Sequence, residues 1–113
     1  MQAIIDNLSK IPWQILLVLS AAGVALGDYY GKYWSINQKS SFYAVAVFGY
    51  FLSGFFYLPT LLKKGLVLTS LIWSILSITF FLFIGLVIFK ETLTTTQVIG
   101  VVFGVIALII LSI

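Results

Sequence analysis

Long runs without a single charged residue constrain this chain more than any other feature. The first run extends from Pro12 to Leu26, fifteen residues that include no Asp, Glu, Lys or Arg. Crossing about 30 Å of hydrocarbon takes about 20 helical residues, so such runs favour helices that span a membrane. Strands of a membrane barrel are shorter, about ten residues, and alternate between apolar and polar side chains, which these runs do not.

Four such runs divide the chain into one helical domain over residues 1–113. The predicted spans are about 12–34, 41–62, 66–89 and 95–113. The linkers between them are short and polar and hold most of the charges, so no separate soluble domain fits between the spans. A helix in lipid also satisfies its backbone hydrogen bonds internally. The expected fold is therefore an all-α, multi-pass integral membrane protein with four transmembrane helices, and we expect it to dimerise.

The composition agrees with a lipid environment and argues against several classes of function. Hydrophobic residues make up 62% of the chain and charged residues only 8%, whereas a soluble domain carries about a quarter charged residues. The net charge of +3 is too small and too dispersed to indicate nucleic-acid binding. The chain has no Cys and no His, which removes the common metal ligands and the side chain best suited to proton transfer near neutral pH. We expect no enzyme, no catalytic residue, no metal and no cofactor.

Local signals predict how the spans begin and end. Pro12 suits the first turn of a helix, and Thr94 with Gln97 matches a capping box at the start of the fourth span. Gly65 can break the chain between the second and third spans, and Pro59 either kinks the second span or ends it a turn early. Before the first span, apolar residues at helical spacing fit either a short interfacial helix or a frayed terminus: Ile4, Ile5, Leu8 and Ile11.

An aspartate and a lysine lie four residues apart near the end of the first span. Measured from Pro12, Asp28 lies about 24 Å and Lys32 about 30 Å along the helix. One interpretation is an i,i+4 ion pair at the membrane surface, stabilising by roughly 0.2–0.5 kcal/mol. The other is a functional carboxylate, because an ionisable residue within a span usually faces protein or water. The candidate residues for substrate or proton binding are Asp28, Lys32, Tyr29, Trp73 and Tyr50.

Glycines spaced by four form two stripes. Gly23, Gly27 and Gly31 make a continuous groove along the first span, which indicates tight packing or room for a solute. Gly100 and Gly104, in GVVFG, form a small-xxx-small pattern that lets two helices approach closely. Four helices make only a thin bundle, which cannot line a solute path on all sides. We therefore expect a second subunit, with these five glycines as candidate packing positions.

The lysines are evenly divided between the two sides of the membrane. Orientation in a membrane follows Lys and Arg in the short loops. An equal division gives no preferred orientation and is compatible with insertion both ways and antiparallel pairing. With four spans, the side that holds both termini and the opposite side carry three lysines each: Lys10, Lys63 and Lys64 on the first, and Lys32, Lys39 and Lys90 on the second.

Two segments carry a resemblance to a known family. In IWSILSITFFLFIGLVIFKETLTTTQVIGVVFGVIALIIL, a tryptophan-bearing span is followed by a short Phe-Lys-Glu-Thr-Leu turn and a Gln-x-x-Gly start to a glycine-bearing span. In GDYYGKYWS, at 27–35, a span ends in a lysine followed by Tyr and Ser. Residues 13–113 thus resemble the four-span branch of the drug/metabolite transporter superfamily. That branch includes the small multidrug resistance transporters and the paired subunits of the aminoarabinose-lipid flippase.

This resemblance implies a dimer, often antiparallel, with the substrate between its subunits. It also implies exchange of a lipophilic cation or a related small solute for protons through a membrane-embedded glutamate. That glutamate corresponds to Val24 here, and no acid lies in the middle of the first span. Flippase-type members likewise lack the glutamate and carry a polar residue near the position of Asp28.

Two functions are expected as alternatives. The first is a small transporter that moves an amphipathic or cationic solute, or a lipid-linked headgroup, as a dimer, with or without proton coupling. The second is a non-transporting or accessory subunit that pairs with another membrane protein. The dimer is expected to be a homodimer, with antiparallel pairing among the alternatives, or a heterodimer with a related four-span subunit. In either case the partners are the lipid bilayer and another membrane chain, with no nucleic acid, and the expected location is a prokaryotic cytoplasmic (inner) membrane.

Overall fold

The chain is all-helical. The computed structural model describes residues 1–113, apart from the side chain of Ser112, and no strand occurs among the described residues. The helices are α1 (Gln2–Ser9), α2 (Trp13–Asn37), α3 (Ser40–Tyr57), α4 (Leu66–Leu82) and α5 (Thr95–Ser112). A 3₁₀ turn, Leu58–Leu62, extends α3, and a π-helical turn, Phe83–Ile88, extends α4.

Three helical segments are long and apolar enough to cross a membrane. They are Trp13–Asn37, Ser40–Leu62 and Leu66–Ile88, and α5 is a shorter apolar helix. These segments lie within a few residues of the first three predicted spans. The prediction of an all-α chain with membrane-length helices is therefore confirmed.

The ends of the helices differ from the sequence-based expectation in two places. The predicted linker SINQKS is mostly helical, because α2 continues to Asn37 and only Gln38 and Lys39 connect it to α3. Gln38 reverses the chain in the left-handed region (φ 56°), and its N–H donates to the carbonyl of Trp34. Pro12 precedes the first helical turn instead of lying inside it, since its ψ of 139° is extended.

Other helix ends follow their local signals. Thr94 and Gln97 form the predicted capping box, with bonds of 3.2 Å from Gln97 N to Thr94 Oγ1 and 3.0 Å from Thr94 N to Gln97 Oε1. Pro59 ends the α-helical part of the second span early, since the chain continues from Leu58 as a 3₁₀ turn. The first residues form a helix, α1, which contacts this 3₁₀ turn.

The helices form a thin bundle. Helix α2 packs against both α3 and α4, and α5 packs against α4. The Cα atoms occupy a slab of 45 × 39 × 16 Å. Its thin dimension holds about two helices, because the Cα atoms of one helix lie on a cylinder of radius about 2.3 Å and neighbouring axes are about 8–10 Å apart. A bundle this thin leaves many side chains exposed, and its fully buried apolar residues, Leu16, Leu17 and Ala21, lie on α2.

Candidate functional site

Asp28 and Tyr50 form the centre of the candidate site. The Tyr50 hydroxyl donates to Asp28 Oδ1 over 2.7 Å, which joins α2 to α3. Tyr50 is 46% exposed and Asp28 is half-buried, so the pair lies at the surface of the bundle. By helix rise, Asp28 lies nine residues, or about 13 Å, before the end of α2. The pair therefore lies inside a helix of membrane length, more than two turns before its end.

Glycines bring α2 and α3 close enough for this bond to form. A Cβ at Gly49 would lie 2.7 Å from Gly27 N, and one at Gly23 would lie 2.9 Å from both Gly49 O and Ser53 N. A Cβ at Gly27 would meet the Tyr50 ring at 2.7 Å. These separations leave no space for a side chain, so Gly23 and Gly27 of the stripe on the first span serve tight packing against α3.

Lys32 does not pair with Asp28. Its Nζ lies 2.8 Å from Glu91 Oε1, and no ion pair joins it to Asp28 among the described residues. The i,i+4 pair considered from the sequence is thus wrong. Lys90 adopts a left-handed conformation (φ 54°) and the Glu91 N–H donates to the Gly85 carbonyl. This fold of the α4–α5 connection brings Glu91, which the sequence indicated only as a loop charge, beside α2.

Tyr29 belongs to an aromatic cluster at the same end of α2. Its ring lies 5.0 Å from Tyr33, 5.3 Å from Tyr30 and 5.7 Å from Phe89, and its hydroxyl donates to the Tyr33 hydroxyl over 3.4 Å. Tyr33 and Phe42 extend the cluster to α3 at 5.8 Å between centroids. The Tyr29 ring lies edge-to-face against Tyr30 and Tyr33, an arrangement that stabilises aromatic packing. The cluster contains Tyr29, which follows Asp28 directly in the chain, and Phe89, which precedes the connection between α4 and α5.

Trp73 lies away from Asp28, in a network of polar side chains between α2, α3 and α4. Its indole N–H donates to Ser20 Oγ over 2.9 Å, and the Ser20 hydroxyl donates to the Ser53 carbonyl over 2.8 Å. Nearby, the Tyr57 and Ser70 hydroxyls lie 2.7 Å apart. Since the Trp73 N–H has an internal partner, it ties three helices together.

Two further hydroxyls on α4 are buried without a partner. Thr69 Oγ1 and Ser77 Oγ accept or donate no hydrogen bond among the described residues. Thr69 is fully buried and Ser77 is 6% exposed. A buried hydroxyl without a partner destabilises, because it loses its hydrogen bonds to solvent. These two residues therefore differ from Ser20, whose hydroxyl both donates a hydrogen bond to Ser53 and accepts one from Trp73.

The remaining candidate glycines lie in looser surroundings. A Cβ at Gly31 would be 4.0 Å from the nearest atoms, Ala46 Cβ and Tyr50 Oη, which is ordinary contact. At Gly100 and Gly104 a Cβ would meet nothing within 4 Å, and both residues are exposed. The glycines on α5 therefore take no part in packing within one chain.

Two groups of residues were missed by reasoning from the sequence. Gly49 and Ser53, four apart on α3, face the glycines of α2 and complete the close contact. Their spacing is the same small-xxx-small signal that marked the other helices, and it was available in the sequence. Glu91 was missed for a different reason: its position depends on how the connection after α4 folds.

Chemically, the arrangement offers one carboxylate inside a helix of membrane length and a phenol that donates to it, with an aromatic cluster that begins at the next residue. A carboxylate of this kind can bind a proton or a cationic group. Comparisons with protein-family models, curated proteins and solved structures gave no match for this chain.

Proposed function

We propose that this chain is a small membrane transporter of the drug/metabolite type, with four spans, that works as a dimer and moves a small amphipathic or cationic solute or a lipid-linked headgroup. In this proposal Asp28 binds the cationic group or the coupling proton, and Tyr50 holds the carboxylate in place. The observation that carries it is the Asp28–Tyr50 pair: an ionisable side chain within a span, 2.7 Å from a phenol and free of Lys32.

The length of α5 supports a fourth span. Its 18 residues, Thr95–Ser112, extend about 27 Å as a helix. A helix of this length is within the range of about 17–25 residues that cross a bilayer. With the capping box at Thr94 marking its start, α5 would return the chain to the side of its N-terminus.

The partial exposure of the pair supports a dimer. Asp28 is half-buried and Tyr50 is exposed, and charged side chains in a bilayer normally face protein or water. A second subunit would enclose the pair between two protomers. The exposed stripe of Gly100, Gly104 and Ala107 on α5 supplies a surface at which a second helix can approach closely.

Transport by proteoliposomes tests this proposal. The wild-type protein is reconstituted, and proton flux is measured when a gradient of a lipophilic cation such as tetraphenylphosphonium is imposed. We expect Asp28→Asn to abolish solute-driven flux while the dimer survives, and Tyr50→Phe to reduce it. Asp6→Asn, which removes a carboxylate outside the spans, is the matched control and should leave flux unchanged.

The accessory-subunit alternative gives the opposite result. A wild-type protein that carries no flux with any of a panel of lipophilic cations, yet copurifies with another membrane protein, would support it. Flux that is unchanged in Asp28→Asn would remove Asp28 from the mechanism even if transport is real.

A further inference from the structure

An apolar groove of about 650 Å³ lies between α1 and the outer face of α3. Ile4 and Leu8 form one wall, and Phe51, Gly54 and Leu62 lie along the other. The volume is within the range of about 300–1,000 Å³ that is usual for small-molecule sites. From Leu62 to Phe51 the groove follows the helix for about 18 Å, which gives it the shape of a channel for an extended chain.

One end of the groove lies at the surface of the membrane. Leu62 is followed directly by Lys63, and Leu8 is followed two residues later by Lys10. The Lys63 ammonium donates to the carbonyl of Ile11 over 3.2 Å, which brings the two walls together at this point. Since α2 and α4 both begin here, this end is where the spans leave the hydrocarbon.

The surface end is positively charged. It carries three lysines, Lys10, Lys63 and Lys64, and one carboxylate, Asp6, so the net charge of these four side chains is +2. Asp6 also accepts a hydrogen bond from Gln2. The Lys64 ammonium lies 5.3 Å from the Trp13 ring. All three lysines are exposed, so a headgroup can reach them in addition to the contacts that Lys63 and Lys64 make with Ile11 and Trp13.

The deep end of the groove is apolar except for one hydroxyl. Tyr50 lines it, and its hydroxyl is already engaged with Asp28. Apolar walls below and positive charge at the surface match an amphiphile with a hydrocarbon tail and an anionic head. Each lysine in a basic cluster at a membrane surface raises the affinity for anionic lipids by about fivefold.

We propose that the groove between α1 and α3 binds one acyl chain of an anionic phospholipid, whose headgroup contacts Lys63 and Lys64. The groove shares Tyr50 with the proposed transport site, but lipid binding there does not require the protein to transport. It gives α1 a role, because α1 supplies one wall of the groove.

Gly54 provides the means to test the site. A Cβ there would meet no atom within 4 Å, so a larger side chain can fill the groove without pushing neighbouring residues apart. Ala44 lies on the same helix, is exposed, and does not line the groove. Gly54→Leu is therefore the blocking variant, and Ala44→Leu is its control.

The experiment uses the full chain in phosphatidylcholine vesicles doped with a small fraction of a photoreactive lipid that carries a diazirine in one acyl chain. The probe is either phosphatidylglycerol or phosphatidylcholine, and crosslinked peptides are mapped by mass spectrometry. We expect labelling by the phosphatidylglycerol probe to concentrate on residues 1–11 and 50–62, several-fold above the phosphatidylcholine probe. Gly54→Leu should lower it several-fold, and Ala44→Leu should not.

A charge series separates headgroup recognition from folding. Lys63→Gln with Lys64→Gln should reduce the preference for the anionic probe by about fivefold or more, and Lys63→Arg with Lys64→Arg should restore it. Equal labelling by both probes, or labelling unaffected by Gly54→Leu, would overturn the proposal. Labelling of the groove that disappears as protein density in the vesicle rises would also overturn it, since a second copy would then be the occupant.

Discussion

Two regions of this protein carry the same sequence pattern of small residues but differ in whether another helix packs against it. Between α2 and α3, Gly23, Gly27 and Gly49 bring the two backbones so close that a Cβ at any of them would lie under 3 Å from a neighbouring atom. On α5, Gly100 and Gly104 have the same spacing of four and meet nothing within 4 Å. A small-xxx-small pattern indicates that a helix can be approached closely, but it does not indicate whether the partner is in the same chain.

The two regions also differ in polar content. The α2–α3 contact includes the Ser20–Ser53 bonds and, a few turns along, the Asp28–Tyr50 bond. The cavity between α4 and α5 is lined almost entirely by aliphatic side chains such as Ile75, Leu82 and Val105. Interhelical hydrogen bonds fix the register of two helices in lipid, whereas aliphatic contacts alone leave it less defined. The first contact therefore holds the protomer together, and the second leaves α5 able to serve another interface.

The largest effect is expected from Gly49→Ala. Its Cβ would lie 2.7 Å from Gly27 N, so the helices must separate, and we expect a loss of about 3 kcal/mol, near the upper end of overpacking costs. Stability is measured by unfolding in mixed micelles of sodium dodecyl sulfate, followed by circular dichroism. Gly54→Ala, on the same helix but facing open space, should be about as stable as the wild type or up to about 1 kcal/mol more stable. Equal destabilisation by both variants would contradict the close contact.

Gly104→Leu should leave the protomer intact but weaken the proposed dimer. Since Gly104 is exposed within one chain, the free energy of unfolding of the protomer should be unchanged. A crowded helix contact between two chains costs about 1–3 kcal/mol, so we expect the affinity of the dimer to fall about tenfold or more. Energy transfer between labelled chains, measured as the vesicles are diluted with lipid, reports the affinity. Val102→Phe enlarges an exposed side chain on the opposite face of α5 and serves as the control. An undisturbed dimer would exclude the α5 stripe as the interface.

Ser20→Ala should destabilise by about 1 kcal/mol, because it removes interhelical bonds and leaves the Trp73 N–H without a partner. The matched variants are Ser77→Ala and Thr69→Val, which remove buried hydroxyls that have no partner among the described residues. These two should be neutral or slightly stabilising. The comparison fails if all three substitutions have the same cost in micelle unfolding.

The smallest effect is expected at the Lys32–Glu91 pair. The two side chains are 42% and 47% exposed, so solvent and salt screen them, and a coupling of about 0.2–1 kcal/mol is expected. A double-mutant cycle of Lys32→Gln and Glu91→Gln measures it. A coupling well above this range would mean that the pair is shielded in the assembled protein, and that the second subunit covers this end of α2.

Much of the fold could be predicted from the sequence because lipid imposes simple rules. Uncharged runs of about 20 residues, the capping box at Thr94 and the break at Gly65 each act through neighbouring residues, so they can be recognised without a structure. The error in the SINQKS linker has a local cause as well. The Ser35 hydroxyl donates to the Lys32 carbonyl over 2.6 Å, so this polar side chain is satisfied within the helix, and polarity alone does not end α2.

The candidate site was predictable only in part. The depth of Asp28 followed from helix rise, but its partner did not, because Tyr50 is 22 residues away and is placed by the packing of three glycines. Lys32 was paired with the wrong carboxylate for a similar reason. An i,i+4 rule compares neighbours on one helix, whereas Glu91 reaches Lys32 through the π-helical end of α4 and a left-handed residue.

By itself the sequence determined that the chain is helical, that three of its helices are of membrane length and that one of these helices carries a carboxylate, Asp28, before its end. These properties depend on the composition and order of nearby residues, which lipid and the helical repeat convert directly into structure. Only the tertiary structure decided which glycines have a neighbouring helix in the space that a Cβ would occupy, which partner each charged side chain takes and which helix faces stay exposed. Those outcomes depend on distances between residues far apart in the chain, and such distances are fixed by packing alone.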